Sequence, residues 1–250
     1  MKSSYYKYFA ALLLFGSNGI VASNINLPSY EIVLLRLLLG SLFLITVFTV
    51  SRQRFTFYRN KHTCLYLFIS ASAMGASWML LYEAYQQVGI SIASLAYYCG
   101  PVIVMILSPF LFRETLTWPK IAGFLTVLAG MCLVNLQALD EGKTIWGLFC
   151  GLMSAFMYAL MVTANKKAKP KSGLENSLLQ LVIGSFIVVA FVSMQKNFVL
   201  SLTTIDWIPV LLLGLLNTGI GCYLYFSSIF SFVYHIFQSS FSHSFLVLSS

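Results

Sequence analysis

Long apolar runs separated by short polar breaks dominate the pattern of this 250-residue chain. Each run has roughly 17–25 residues, the length of an α-helix that crosses a hydrocarbon core at about 1.5 Å per residue. Strands of a membrane barrel would instead be about 10 residues long and alternate in polarity. The runs cover residues 6–22, 30–50, 64–87, 90–112, 118–136, 144–164, 174–194 and 205–229. The pattern therefore predicts an all-α polytopic membrane protein.

The composition agrees with a lipid environment. Hydrophobic residues make up 59% of the chain and charged residues only 9%, and the mean hydropathy is +0.84. A soluble domain carries about 25% charged residues because its surface faces water. The basic start and small-residue end of residues 1–23 also allow a secretory signal peptide, but the stretch continues as the first unit of a repeat, which favours a membrane span.

The basic residues indicate an orientation. With a cytoplasmic N-terminus, twelve of the fifteen Lys and Arg lie on the cytoplasmic side, Lys143 and Lys196 lie opposite, and Arg36 lies inside a span. Cytoplasmic loops carry an excess of Lys and Arg, so this bias predicts a multi-pass cell (plasma) membrane protein with its N-terminus in the cytoplasm. The net charge of +8 is then a topology signal, and we expect no nucleic-acid partner.

Two pairs of segments indicate an internal repeat. Residues 75–84 read GASWMLLYEA and residues 219–228 read GIGCYLYFSS, and the two segments align at an offset of 144 residues. The same shift places EIVLLRLLLGS (31–41) on ENSLLQLVIGS (175–185). The repeating unit holds five spans. Because five is odd, the second copy would enter the membrane in the opposite direction, and inverted repeats of this kind build a substrate site near the bilayer midplane.

Residues 80–134 resemble the third to fifth spans of an EamA-type unit of the drug/metabolite transporter superfamily. They contain SIASL (91–95), a proline-containing fourth span, RETLT (113–117) and a glycine-dotted fifth span. Residues 212–229, LLGLLNTGIGCYLYFSSI, are similar to the eighth span of that family. The resemblance implies an inverted repeat of five-helix units, ten helices in all, and export or exchange of small metabolites such as amino acids.

The end of the chain departs from this pattern. We expect a first five-helix repeat over 1–138, an incomplete second repeat over 144–229 and a divergent tail over 230–250, with about eight or nine helices present. The tail has no Lys, Arg, Asp, Glu, Gly or Pro and no counterpart of RETLT. A frameshift or premature stop that removed the last two helices is one interpretation, and a genuine variant with a divergent end is the other.

Arg36 and Glu83 are the charged candidates for a translocation site. A charge at the centre of a span costs about 2.5–3.5 kcal/mol on insertion scales, so Arg36 should face protein or water. Its guanidinium fork could hold a carboxylate of the substrate, of Glu31 or of Glu83, or it could snorkel to the interface. Glu83 could couple proton movement to substrate transport if it faces a cavity. Alternatively, it could be a water-exposed residue at the end of its span.

A second group of candidates lies midway through the fourth span, at Tyr97, Tyr98, Gly100 and Pro101. Proline removes a backbone donor, and broken backbone at membrane depth is tolerated only against protein or a water-filled cavity. A kink that only shapes packing is the alternative. Further candidates are polar or aromatic residues that could equally form interhelical contacts. They are Asn18, Trp78, Tyr82, Tyr158, Asn217 and Tyr223.

These features predict a secondary transporter, an exporter by its family resemblance, that moves small organic metabolites by alternating access. A transport-incompetent remnant is the alternative if the ending is truncated. No catalytic set, metal spacing or phosphate loop occurs, so we expect neither an enzyme nor a cofactor. The five cysteines lie scattered. The expected partners are a small-molecule substrate and the lipid bilayer, with proton coupling and a homodimer left open.

Overall fold

The computed structural model describes residues 2–112, 145–169, 172–194 and 207–228, and positions 118, 121, 122, 125, 126 and 129. Its helices are α1 (Lys2–Gly16), α2 (Asn18–Ala22), α3 (Ser29–Val50), α4 (Lys61–Tyr97), α5 (Cys99–Phe112), α6 (Ile145–Ala168), α7 (Gly173–Ser193) and α8 (Trp207–Ser228). These residues contain no strand. Most of the predicted span 118–136, the junction between the proposed repeats and the tail 230–250 lie outside the described residues.

The helices follow the apolar runs. Five apolar helical stretches in the described part of the chain are long enough to cross a membrane. They are Tyr30–Val50, Lys61–Leu111, Ile145–Ala168, Gly173–Ser193 and Trp207–Ser228. Their outward side chains are apolar, as Phe110 (82% exposed), Phe186 (70%) and Ile208 (71%) show. Such extensive apolar exposure is unusual for a soluble protein and fits contact with lipid tails.

The stretch Lys61–Leu111 is 51 residues long, more than twice the length of a single crossing. Gly89 interrupts it with φ 80° and ψ 164°, backbone angles that side chains disfavour. This position lies between the predicted spans 64–87 and 90–112. The break between two spans is therefore made at a single glycine, without an intervening loop.

α3 and α7 run in opposite directions. Tyr30 at the start of α3 packs its ring against Phe191 near the end of α7, with 5.6 Å between centroids. At the other end of the pair, the Ser172 hydroxyl before α7 donates to Gln53 Oε1 beyond α3, at 3.1 Å. The segments aligned by the 144-residue shift are thus antiparallel in the structure.

The loop after α3 and the start of α7 are bound together by Glu175. Its Oε1 accepts the backbone N–H groups of Thr56 and Phe57, and its Oε2 accepts the Thr56 hydroxyl at 2.7 Å. The 3₁₀ turn Phe57–Arg59 follows directly. The basic loop 52–61 and the basic segment 166–169 therefore lie at the same end of the molecule.

The helices cross closely at two glycines related by the 144-residue shift. A Cβ placed on Gly40 of α3 would lie 2.7 Å from Thr218 and 3.2 Å from Leu181. A Cβ placed on Gly184 of α7 would lie 3.2 Å from Met74 and 3.8 Å from Leu37. The neighbours correspond too, because the same shift relates Leu37 to Leu181 and Met74 to Thr218. The two contacts are reciprocal.

Candidate functional site

A cavity of about 300 Å³ lies between α1, α2, α3, α4, α5, α6 and α8. Both parts of the chain, before and after the predicted junction, contribute to its wall. The sequence-predicted candidates that line it are Asn18, Arg36, Trp78, Tyr97, Tyr98, Pro101 and Tyr158. Concave, mostly apolar sites with a few polar groups are typical of small-molecule binding.

Arg36 is the most unusual group in this wall, since it is only 1% exposed. Its Nε donates to Thr218 Oγ1 at 2.9 Å, and its Nη1 donates to the Tyr82 hydroxyl at 2.6 Å. Its guanidinium carbon lies 4.0 Å from the ring centroid of Trp78. The aromatic face attracts the cation, and the hydrogen bonds fix the guanidinium plane.

The partners of Arg36 differ from the carboxylates allowed by the sequence. Among the described residues neither Glu31 nor Glu83 pairs with it; Glu83 instead accepts a hydrogen bond from Gln87 at 3.1 Å and does not line the cavity. The Nη2 atom of Arg36 is buried and has no hydrogen-bond partner in the described structure. Arg36 is therefore a buried cation with polar and aromatic neighbours but, among the described residues, no counter-ion.

Thr218 reaches Arg36 from a π-helical segment of α8, Leu212–Ile220. Its hydroxyl donates to the carbonyl of Leu213, five residues earlier, at 2.7 Å, which leaves an oxygen lone pair for the Arg36 Nε–H. π-Helical turns are rare and occur often at functional sites. The local winding of α8 and the placement of the arginine are linked through this one hydroxyl.

Tyrosines form much of the remaining wall. The hydroxyl oxygens of Tyr158 and Tyr225 are 2.7 Å apart, within hydrogen-bond distance. The Tyr97 ring meets Tyr158 edge to face at 5.4 Å, and Tyr8 stacks against Tyr225 at 6.0 Å. Rings from α1, α4, α6 and α8 thus converge on the same space and offer flat apolar faces with hydroxyl groups.

In the fourth span α4 gives way to α5 at Tyr98, whose backbone angles stay helical (φ −70°, ψ −5°) and whose N–H donates to the Ser94 carbonyl at 2.9 Å. Pro101 is the third residue of α5, in the first turn, where its missing N–H leaves no internal helix bond unmade. Gly100 does not line the cavity. A Cβ there would lie 2.7 Å from Tyr158 Cδ1, so Gly100 makes room for that ring.

Asn217 also lies behind the wall rather than in it. The two N–H groups of its Nδ2 are shared among three acceptors: the Leu14 carbonyl at 3.0 Å, Ser17 Oγ at 3.0 Å and Asn18 Oδ1 at 2.9 Å. These bonds hold the break between α1 and α2 and orient Asn18, which does line the cavity. Tyr223, another candidate, lies outside the lining, with Lys7 Nζ 6.0 Å from its ring centroid.

Several lining residues were not among the sequence-predicted candidates, notably Tyr8, Tyr85, Ser94 and Tyr225. Part of this set was visible as helical stripes. Met74, Trp78, Leu81 and Tyr85 recur at spacings of three and four, and all line the cavity. Tyr8, Leu12 and Phe15 of α1 and Gly19 of α2 follow the same spacing. Tyr82, although predicted, lies behind the stripe and acts on Arg36 instead.

The described helices form a bundle around an aromatic cavity with a buried cation, an arrangement suited to a multi-pass membrane transporter. The EamA-like transporter family matches residues 3–136 and 145–233, and the chain belongs to that family, within the drug/metabolite transporter superfamily. The uncharacterized transporter YxxF of Bacillus subtilis (strain 168) is 26% identical over 230 residues, which are 89% of this chain and 72% of that protein.

A solved structure described as "Crystal structure of protein" has the same fold. Its TM-score to this chain is 0.72 at 18% sequence identity, and the match covers 92% of this chain and 79% of the other. Helix order and packing, rather than individual side chains, carry this likeness.

Proposed function

We propose that this protein is a secondary transporter that exports small organic metabolites by alternating access through the cavity around Arg36. The observation that carries the proposal is the buried guanidinium of Arg36 in the cavity wall, which has no counter-ion among the described residues. Both parts of the chain contribute to this wall. Charged groups at membrane depth are costly and mark substrate pathways.

We further propose that α1–α5 and α6–α8 belong to inverted repeats. The antiparallel course of α3 and α7, the reciprocal contacts of Gly40 and Gly184, and the separate family matches before and after residue 140 support this arrangement. Rocking of one repeat against the other around a central site is the mechanism that inverted repeats provide.

The proposed orientation in the plasma membrane puts the N-terminus in the cytoplasm. Both basic loops, 52–61 and 166–169, lie at one end of the molecule, as the excess of Lys and Arg on the cytoplasmic side requires. Cysteines at Arg54 and Lys166 in a cysteine-free background should react only with reagents that cross the membrane. Labelling of the two from opposite sides would refute the arrangement.

The residues proposed to bind substrate are chosen from the polar and aromatic residues that line the cavity. They are Asn18, Arg36, Trp78, Tyr97, Tyr98, Tyr158 and Tyr225. Tyr82 and Asn217 would position Arg36 and Asn18 through the hydrogen bonds described above. Glu83 lies outside the lining, so its position gives no support to proton coupling through that carboxyl group.

The test is flux in proteoliposomes made with the purified full chain. Labelled amino acids, organic acids and amines are offered singly, and saturable counterflow of at least one is expected. Ser94→Trp fills the cavity and should abolish that flux, whereas Ser193→Trp, on the exposed end of α7, should preserve it. Flux no greater than in protein-free vesicles for all compounds would contradict the proposal.

A further inference from the structure

We infer that the cavity binds an organic monoanion, with a carboxylate held by Arg36 and an apolar, ring-sized body packed against the tyrosines. The inference rests on the proposed function, because it names the substrate class of the same cavity.

The free edge of the Arg36 guanidinium has the shape that a carboxylate requires. Arginine carries five N–H donors, and the contacts to Thr218 and Tyr82 use one on Nε and one on Nη1. The remaining donors are the two N–H groups of Nη2 and the second N–H group of Nη1, and the edge between these two nitrogens forms the end of the fork. A carboxylate accepts two parallel hydrogen bonds from such an edge. Because the Trp78 ring lies against the face, the edge is the side left for a ligand.

The charged residues of the cavity wall favour an anionic ligand over an amine or a zwitterion. Arg36 is the charged residue among the described lining residues, which include no Asp or Glu. An ammonium group in the cavity would therefore meet a like charge and no carboxylate. A carboxylate would neutralise a cation that has no counter-ion in the described structure.

The shape of the cavity indicates the rest of the ligand. Tyr85, Tyr97, Tyr158 and Tyr225 present aromatic surface, against which another ring packs in offset or edge-to-face geometry. The volume of about 300 Å³ is at the lower end of the range for ligand pockets, which suits a single-ring metabolite. The fork of Arg36 is shielded from water in this conformation, so the wall has to loosen as the carboxylate enters.

The test compares four probes that share a phenyl body and differ in charge: phenylacetate, phenylacetamide, phenethylamine and phenylalanine. Binding of labelled phenylacetate to the full chain in nanodiscs is measured, with the other three as competitors. Phenylacetate should bind most tightly. In Arg36→Gln its affinity should fall roughly tenfold to hundredfold, while that of phenylacetamide changes by less than about threefold, since only the charged pair is lost.

Two variants separate this effect from misfolding and from general electrostatics. Arg36→Lys keeps the charge but lacks the fork, so an intermediate loss is expected, and this variant decides the matter if Arg36→Gln does not fold. Lys7→Gln removes a neighbouring positive charge that does not line the cavity, and it should leave phenylacetate affinity unchanged.

Three results would overturn the inference: no binding of phenylacetate at millimolar concentration, tighter binding of phenethylamine or phenylalanine, or an unchanged preference in both Arg36 variants. Flux of labelled phenylacetate in proteoliposomes is measured separately. Arg36-dependent binding without flux would refute transport and keep the anion site. Flux of amines or amino acids without preference for phenylacetate would keep transport and refute the anion site.

Discussion

The carboxylate of Glu175 and the hydroxyl of Thr56 are 2.7 Å apart, although 119 residues separate them along the chain. The same carboxylate accepts the backbone N–H groups of Thr56 and Phe57. One buried side chain thus binds a loop of the first part of the chain to the first turn of α7. The negative charge near the helix N-terminus is favourable in its own right.

Replacing this carboxylate should loosen the basic end of the molecule. Glu175→Gln removes the charge and one acceptor oxygen, and hydrogen bonds to charged groups contribute about 1.5–3 kcal/mol. Thr56→Val removes only the hydroxyl contact and should cost less. Unfolding can be followed with a thiol-reactive dye, because Cys150 and Cys222 are buried in the folded chain. Equal stability of Glu175→Gln and wild type would contradict this role.

The crossing at Gly40 should not tolerate a methyl group. In Gly40→Ala the new Cβ would lie 2.7 Å from the Cγ2 of Thr218, a stiff side chain already bonded to Arg36. Overpacking costs about 1–3 kcal/mol, only partly offset by the gain of about 0.5–1 kcal/mol for alanine in a helix.

Gly16→Ala is the matched control for this crossing, because no atom lies within 4 Å of the added Cβ. Thermal unfolding should show a lower melting temperature for Gly40→Ala alone. If both variants melt like wild type, the contact is not tight in the folded protein.

Gly89→Ala should destabilise the chain for a different reason. At φ 80° and ψ 164° any side chain is strained, at a cost of about 1–3 kcal/mol. The variant should either lose that stability or straighten the junction between the two halves of α4. Cysteines placed at Tyr97 and Tyr158, whose rings are 5.4 Å apart, would report straightening as a loss of cross-linking, while unchanged melting and cross-linking would rule out the strain.

Tyr158 and Tyr225 should be coupled energetically. Tyr158→Phe or Tyr225→Phe alone leaves the other hydroxyl without its partner, whereas the double variant has neither hydroxyl. The losses of unfolding free energy in the two single variants should therefore not add up to the loss in the double variant. A coupling energy of about 0.5–1.5 kcal/mol is expected in a double-mutant cycle on unfolding. Tyr225→Phe combined with Tyr58→Phe, whose ring is 64% exposed, should be additive. Full additivity for the first pair would show that their hydroxyls are not bonded.

The membrane helices were predictable because lipid imposes one strong rule, a long apolar run per crossing. The predicted run 30–50 became Ser29–Val50, and the predicted run 174–194 became Gly173–Ser193. The break between the third and fourth spans was also predicted, although nothing in the residue pattern indicated that it would be made at Gly89 alone, without a loop.

The partners of Arg36 could not be predicted in the same way. Thr218 is 182 residues away along the chain, and it contacts the guanidinium from a π-helical segment. The apolar sequence of that segment does not predict its π-helical winding. Opposite charge pointed to Glu31 and Glu83, but helix packing placed aromatic and hydroxyl groups there instead. Local pattern determines where helices lie, whereas the contacts between them depend on shapes that are distant in sequence.

The reciprocal glycines have a mechanical consequence. Gly40 and Gly184 are each about halfway along their helices, so a rotation about their contacts would act on levers of similar length on either side. Widening at one membrane face would then require narrowing at the other. A passage open to both membrane faces at once would require α3 and α7 to separate at Gly40 and Gly184. The close packing at these glycines opposes that separation.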